Sequence, residues 1–279
     1  MALNPISPLN LERYELKFKI PFHLVDPITE YVSRYCEMDY YSQISSDGFY
    51  VINSLYLDTP QFHIYRRKET GEMEYSGFRI RSYGSDPKPP YFFESKQKNF
   101  DFCNKRRAKV FIENFGDLIE APWKVTDFNP YADANLRDFL EKAITFDLRP
   151  VIFTQYRRRA LLSTVDDYAR VTFDRDLRYM EESGYRIRPD ESRMSHFDHP
   201  DTFKQPGTGG NVILELKCER KIPLWMIDVI RMFQLERTNF SKFKGAMYEC
   251  FGRPNEYIAQ DVFTVPERLG FWKETVARG

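Results

Sequence analysis

Apolar and ionic side chains alternate strictly along several stretches of this chain. In residues 13–20, Tyr14, Leu16, Phe18 and Ile20 fall on one side and Arg13, Glu15, Lys17 and Lys19 on the other. That period of two predicts a β-strand with one apolar and one ionic face. Residues 77–109 carry the pattern furthest. They read as three consecutive strands over 78–83, 91–98 and 104–111. Arg79 and Arg81 lie opposite Phe78 and Ile80, while Glu94, Lys96 and Lys98 share a face, as do Lys105, Arg107 and Lys109. Further strands are predicted over 50–58, 151–163, 168–173 and 212–218, with 177–188 as another strand or hairpin arm. Tyr156 shares a face with Arg158, Arg170 with Thr172, and Glu215 with Lys217.

Helices are predicted over 26–36, with Pro27 in the first turn, and over 60–68, 131–146, 223–235 and 241–251. Leu136, Phe139, Leu140 and Ala143 recur at helical spacing, and Ser241 suits an N-cap. Residues 116–130 read as a mixed loop. The stretch 189–211 is rich in Pro, Gly, Asp and Ser and reads as a mobile loop. Eight or nine strands joined mostly by short turns predict an α+β fold. Its centre is a closed or nearly closed antiparallel β-barrel of about eight strands, with helices packed around it. Such a barrel admits side chains or one slim ligand. There is no internal repeat, so residues 1–279 are expected to form a single domain with its core at about 12–251.

Like charges on neighbouring strands repel and destabilise a sheet. A wet, basic outer face explains any one strand. Recurrence on strand after strand calls for an anion. Burying that many cations without partners would cost more than a domain's whole stability, so a tunnel they line must be wet and must favour a polyanion. Arg forks match phosphate oxygens and Lys adds point charges. Among these cations, Glu15, Glu94 and Glu215 suit a hard divalent cation that bridges phosphates. Glu15 and Glu94 read equally well as ion-pair partners across the sheet.

Composition narrows the alternatives. The 279 residues are 42% hydrophobic and 16% aromatic, with 41 basic and 41 acidic residues. A packed globule follows, and zero net charge argues against a general nucleic-acid binder. No apolar run approaches 18 residues, and the first residues lack the features of a signal peptide. Cys36, Cys103, Cys218 and Cys250 are far apart, which fits a reducing cytoplasm better than a disulfide framework or zinc site. His196 and His199 belong to the loop. Asp174 and Asp176 read as a strand-end turn, and residues 68–72 as a hairpin turn without a role. The aromatic residues at 75–83 do not meet the pattern of an RNA-binding sheet.

The segments RYELKFK, GFRIRSYG, FFESKQK, KRRAK, YRRRAL, ARVTFDRDL, ILELK and SKFKG occur in this order. The chain thereby resembles the catalytic domain of the vacuolar transporter chaperone (VTC) polyphosphate polymerases, members of the triphosphate tunnel metalloenzymes, in a stand-alone form like the bacterial ones. The resemblance implies a tunnel that binds ATP with Mn²⁺ or Mg²⁺ and passes the γ-phosphate to a growing polyphosphate chain. It implies phosphate-binding roles for Lys17, Arg79, Arg81, Lys96, Lys105, Arg107, Arg158, Arg170 and Lys242. Lys217 joins them by tunnel-facing parity, and Arg79, Arg81, Lys96, Arg158 and Arg170 are assigned to ATP. Glu215 matches the metal-ligating glutamate, with Glu15 and Glu94 as further candidates. Asn239 departs from the basic residue that the resemblance implies three positions before Lys242, and the flanking sensor and membrane domains of the eukaryotic proteins are not seen. The expected partners are ATP and polyphosphate, not nucleic acid, with a membrane protein as a further candidate. A triphosphatase of the same fold and a non-catalytic polyanion-binding module are the alternatives.

Overall fold

The structure, a computed structural model, describes residues 13–72, 75–99, 102–121, 125, 129, 132–166, 168–198, 211–219 and 221–252. In chain order the elements are β1 (Arg13–Pro21), α1 (Val25–Val32), β2 (Cys36–Met38), α2 (Tyr40–Ile44), β3 (Tyr50–Asp58), α3 (His63–Glu69), β4 (Tyr75–Tyr83), β5 (Tyr91–Asn99), β6 (Phe102–Val110), α4 (Asp117–Glu120), α5 (Ala134–Thr145), β7 (Arg149–Ser163), β8 (Ala169–Glu181), β9 (Ser195–His196), β10 (Asn211–Glu219), α6 (Leu224–Met232) and α7 (Lys242–Phe251). The strands form one sheet in the order β1-β10-β8-β7-β3-β4-β5-β6, with β2 added to β7 and β9 to β8. Every pairing is antiparallel.

Register gathers the ionic rows onto one face. Lys17 stands opposite Glu215, and Glu15 opposite Lys217. Lys217 in turn faces Arg170, and Arg158 faces Asp174. On the other half of the sheet Arg79 faces Glu94, Glu94 faces Arg107, and Lys96 faces Lys105. Residues directly opposite each other project to the same side. The sheet also curls, because side chains near opposite ends of its strand order feel one another. The Glu15 carboxyl on β1 interacts with Lys96 on β5. Lys68 of α3 interacts with Lys17 on β1, Lys96 on β5 and Arg79 on β4.

The apolar rows make two cores behind the ionic face. Phe18, Val171, Leu214 and Leu216 pack with Val25 and Ile28 of α1 and Met226 and Val229 of α6. Phe78, Ile80, Phe93 and Phe153 pack with the predicted face of α5. Phe139 sits at its centre, 5.5 Å from Phe78 and 5.0 Å from Phe93, edge-on to both. Helix α7 lies instead on the inner side, where its Phe243 ring rests 5.1 Å from Tyr56. Among the described residues no helix is long and apolar enough to cross a membrane.

The α+β, antiparallel reading is borne out, with these differences. The barrel is not closed: among the described residues no pairing joins β1 to β6. The helix expected over 26–36 ends at Val32, and Cys36–Met38 turns back as a strand on β7. Residues 168–173 and the start of 177–188 are one strand, β8. Its register shifts opposite Gln155 and Arg157, and Asp176 takes φ 53°, so the Asp-Arg-Asp motif is a β-bulge inside a strand. The mixed loop contains α4. The first part of the expected mobile loop is packed: β9 pairs with β8 and Phe197 is fully buried. The remainder, 199–210, lies outside the described residues, as does Tyr131; α5 starts after its cap Asp133. Lys68 belongs to the last turn of α3 and not to a turn of its own.

Helix α3 is fastened by Asp58, a fully buried carboxylate at the end of β3. It accepts from the backbone N–H groups of Thr59 (2.7 Å), Ile64 (2.9 Å) and Tyr65 (2.9 Å). Asp58→Ala strands all three donors and is expected to cost about 2–3 kcal/mol, read as a lower urea midpoint at unchanged slope.

Candidate functional site

Glu94 is the centre of one half of the ionic face. It is 2% exposed and takes ion pairs from four cations: Arg79 Nε at 2.6 Å, Lys105 Nζ at 3.2 Å, Arg107 Nε at 3.4 Å and Arg81 Nη1 at 3.9 Å. Burial alone would raise its pKa, but Arg79, Arg81 and Lys105 overcome this and hold the carboxyl well below the usual carboxylate range. The crowding has the opposite consequence for Lys105. Burial, reinforced by Arg79 and Arg81, brings its amine down to about 8 despite Glu94.

Glu215 and Asp174 form the centre of the other half. Arg158 grips Asp174 with two bonds, Nε at 2.6 Å and Nη2 at 2.7 Å. Lys242, the first residue of α7, reaches Asp174 at 2.6 Å and Glu215 at 3.5 Å. Ser241 positions it by capping the helix, its Oγ accepting from the Lys244 N–H. Glu215 also meets Lys217 at 2.9 Å, Lys17 at 3.8 Å and Arg158 at 3.9 Å. Burial opposes its ionisation, but Lys217, Lys242 and Lys17 hold it well below the ordinary range. Burial likewise disfavours the charge on Lys242, and Asp174 with Glu215 more than restores it, so its pKa is raised.

Tyr156 joins the halves. It is buried, its hydroxyl accepts from Arg81 Nη2 at 3.4 Å, and its ring lies under Lys242 at 4.7 Å and Arg158 at 5.4 Å. At the rim, Arg170 points to Asp39 at 3.5 Å. Lys17 Nζ donates to the Phe240 carbonyl at 2.9 Å, one residue beyond Asn239.

The structure therefore brings all ten predicted cations and Glu15, Glu94 and Glu215 to one face. Three residues that sequence reasoning passed over join them. Asp174 shares the parity of Arg170 and Thr172, a signal that was legible, but its motif looked like a turn. Tyr156 was placed on the face without a role. Lys68 comes from a helix, and strand parity cannot find it. Its amine approaches β4, within 3.0 Å of where a side chain on Gly77 would begin. Burial first, then Lys96, Arg79 and Lys17, lower it to about 8, with Asp58 opposing.

Cations outnumber carboxylates on this face, where the ten predicted ones and Lys68 share Glu15, Glu94, Asp174 and Glu215. Arg81 Nε and Arg170 Nε, like the hydroxyls of Ser54, Thr154 and Thr172 and like Glu94 Oε1, are buried and have no hydrogen-bond partner among the described residues. Lys96 is exposed and makes no ion pair among them within 4.0 Å. Native proteins leave few buried polar groups unmatched, so these donors point to a ligand rich in acceptors. Among the described residues no group of three His, Cys, Asp or Glu is placed to hold a metal ion. Glu15 and Glu215 nevertheless share Lys17 and Lys217 as partners and feel each other's charge. A pair of carboxylates fits a divalent cation that draws its other ligands from phosphates and water.

Among solved structures, the chain is similar to the putative adenylyl cyclase HpAC1 from Hippeastrum, described as having a dominant triphosphatase activity. The match has 13% identity and a TM-score of 0.41, covering 85% of this chain and 94% of that one. It is also similar to the PH1819 protein from Pyrococcus horikoshii OT3, at 12% identity and a TM-score of 0.39, covering 85% and 99%. No curated protein matches the chain. The model of the VTC domain matches residues 12–251, and the chain belongs to that family.

Proposed function

We propose that the ionic face is a tunnel wall for a chain of phosphates, and that the protein is a metal-dependent phosphotransferase moving the γ-phosphate of ATP onto polyphosphate. The VTC domain and the surplus of cations support phosphate binding. One observation favours a phosphate acceptor over water. Glu15, Glu94, Asp174 and Glu215 are all ion-paired and all held below their ordinary pKa range. Carboxylates held in ion pairs are poor proton acceptors, and a water nucleophile must lose a proton at some stage. A phosphate oxygen is already anionic at neutral pH and needs none.

In this reading Arg79, Arg81, Lys96, Arg158 and Arg170 hold the triphosphate. Asp174 fixes the Arg158 fork and Asp39 the Arg170 fork. Lys17, Lys105, Arg107, Lys217 and Lys242 hold the acceptor chain and offset the charge shared among the reacting oxygens. Phosphoryl transfer is mostly positioning and charge neutralisation, so no covalent intermediate is required. Mn²⁺ or Mg²⁺, when bound, supplies further neutralisation between neighbouring phosphates. Glu215 and Glu15 would hold it. Glu94 stays a further candidate, but in this reading its role is to align Arg79 and Lys105, because the second carboxylate that suits a divalent cation stands beside Glu215. ATP as substrate and the free thiols of Cys36, Cys218 and Cys250 fit the cytoplasm, with a membrane partner as an open addition.

Incubation with ATP and Mn²⁺ tests the reading directly. A ladder of long chains on a polyphosphate-stained gel, with ADP, is the expected result. Free phosphate without a ladder would make the protein a triphosphatase. Neither product, with tripolyphosphate still bound, would leave a binding module. Glu215→Gln is expected to abolish turnover while retaining tripolyphosphate binding, since the change removes a negative charge from the wall.

Tripolyphosphate at a hundred times its dissociation constant is expected to stabilise the fold by about 2.7 kcal/mol, an increment that Lys96→Met reduces. Absence of any shift at low salt would refute the tunnel.

The two lowered lysines give a pH dependence. Lys68 and Lys105 titrate near 8 in the free protein. Phosphate prefers their charged forms and raises both pKa values on binding. Affinity is therefore full below pH 8 and falls above it, by up to about tenfold per pH unit for each lysine. Calorimetric titration with tripolyphosphate between pH 7 and 9.5 checks this, and Lys68→Met is expected to flatten the slope.

A further inference from the structure

The ionic face grows wetter toward the two strands that end the sheet order. Those strands are β1 and β6, and among the described residues no pairing joins them. Toward the middle of the sheet the side chains of Arg81 and Arg158 are 8% and 9% exposed. At the edges, Lys105 and Arg107 of β6 are 46% and 40% exposed, and Glu15 of β1 is 36% exposed. Lys109 of β6 and Lys96 of the neighbouring β5 are exposed as well. A closed barrel would bury its inward side chains alike on every strand. The ionic face therefore opens to water along a lengthwise seam between β1 and β6.

The two sides of the seam face each other. The Glu15 carboxyl on β1 feels Lys96 across the gap, and Lys68 feels Lys17 on one side and Lys96 on the other. Each side is nevertheless tied to its own half of the sheet. Glu15 and Lys17 pair with each other at 3.2 Å and with Lys217 and Glu215 of β10, while Lys105 and Arg107 are held by Glu94 of β5. Among the described residues, the cover on the free edge of β1 is one short stretch: Arg237 bridges to Phe18, and the Thr238 N–H donates to the Lys17 carbonyl at 2.8 Å. Lysines on an edge strand can serve merely to deter pairing with another chain. Charge on either parity would meet that need. Here Lys17 and Lys19 of β1 and Lys105, Arg107 and Lys109 of β6 all stand on the parity of the ionic face. A polyanion lying lengthwise between them neutralises both edges at once, and a linear phosphate chain carries the charge for this at every unit.

We propose that polyphosphate enters the channel sideways, through the seam between β1 and β6, so that the site takes internal stretches of a long chain and needs neither of its ends. The inference rests on the tunnel reading, which says what is bound, and adds the route by which it arrives. The exposed cations of the two edges meet the chain first, because exposed charges steer a polyanion over about 10 Å at moderate salt. The buried forks of Arg81 and Arg158 receive it next. A chain that has landed anywhere along its length then slides until its terminal phosphate reaches the donor.

The test compares a long polyphosphate biotinylated at both ends and capped with streptavidin against the same chain uncapped, each competing with fluorescent tripolyphosphate for the protein. Side entry predicts dissociation constants within about twofold of each other. Threading needs a free end, so a capped chain weaker by more than about tenfold would overturn the seam while leaving the tunnel intact. Arg81→Met reports whether the capped chain reaches the floor of the channel, and Lys242→Met stands in should Arg81→Met not fold. The variant should weaken both chains by the same factor. A capped chain that ignores it while the uncapped chain is weakened lies outside the channel, and the seam is then overturned. So it is by a wild-type dimer whose β1 and β6 amides resist hydrogen exchange without phosphate, which would place a second copy in the seam. A wild type that binds neither chain would overturn the tunnel reading and the seam together.

Discussion

Mutual repulsion of cations on one face of a single sheet is the constraint that the rest of this structure answers. Neighbouring strands place Lys96 opposite Lys105 and Lys217 opposite Arg170, pairings that destabilise a sheet when nothing lies between them. The fold offsets this with a few buried carboxylates, each shared among several cations: Glu94 among four, Asp174 between Arg158 and Lys242. Such shared pairs are weak sources of stability, because desolvation opposes the Coulomb attraction. Their consequence is positional. An arginine gripped from one side presents its remaining donors in a fixed direction, as a preorganised anion site requires.

The stability itself lies behind the sheet. Rows one residue out of step with the cations carry the apolar side chains, and two cores clamp them against α1, α6 and α5. The arrangement is separable in sequence, since period two assigns alternate residues to stability and to charge. It also lets the sheet stay open. Edges β1 and β6 need no pairing with each other when helices cover the outside and α7 packs inside, its Phe243 resting on Tyr56.

That alternation is why so much was legible in the sequence. Parity put Lys17, Arg79, Arg81, Lys96, Lys105, Arg107, Arg158, Arg170 and Lys217 on the ionic side of their own strands, the resemblance to the VTC domain singled out all but Lys217 as phosphate-binding, and Ser241 announced the helix that carries Lys242. What remained hidden depends on the third dimension. Lys68 enters from a helix whose direction is set by Asp58. Asp174 precedes a bulge that sequence makes look like a turn. The difference between a closed barrel and an open, curled sheet rests on whether two edge strands meet, and no local pattern encodes that. Glu94 shows the limit most clearly. Its residue type and parity suit a metal ligand as well as those of Glu215 do, and only cross-strand register reveals that Glu215 has Glu15 and Asp174 as neighbours.

The two carboxylate centres also differ in kind, and this gives the channel a polarity. Glu94 serves cations on β4 and β6 alone, and Arg107 continues from it to the Tyr83 hydroxyl at 2.9 Å and the Phe92 ring at 3.7 Å. Glu215 draws its cations from β1, β7, β10 and α7, sharing Lys17 and Lys217 with Glu15 and Arg158 and Lys242 with Asp174. At the far end Lys68 and Lys96 sit close enough to lower the Lys68 amine. A phosphate chain lying along this face would therefore meet Arg79, Arg81 and Arg107 gripped by Glu94, and beside them the amines of Lys68, Lys96 and Lys105. Arginine forks hold one phosphate in one geometry, whereas lysine amines on flexible stems accept a phosphate in many. A phosphate that must stay aligned is suited by the first kind of partner, and one that must move by the second.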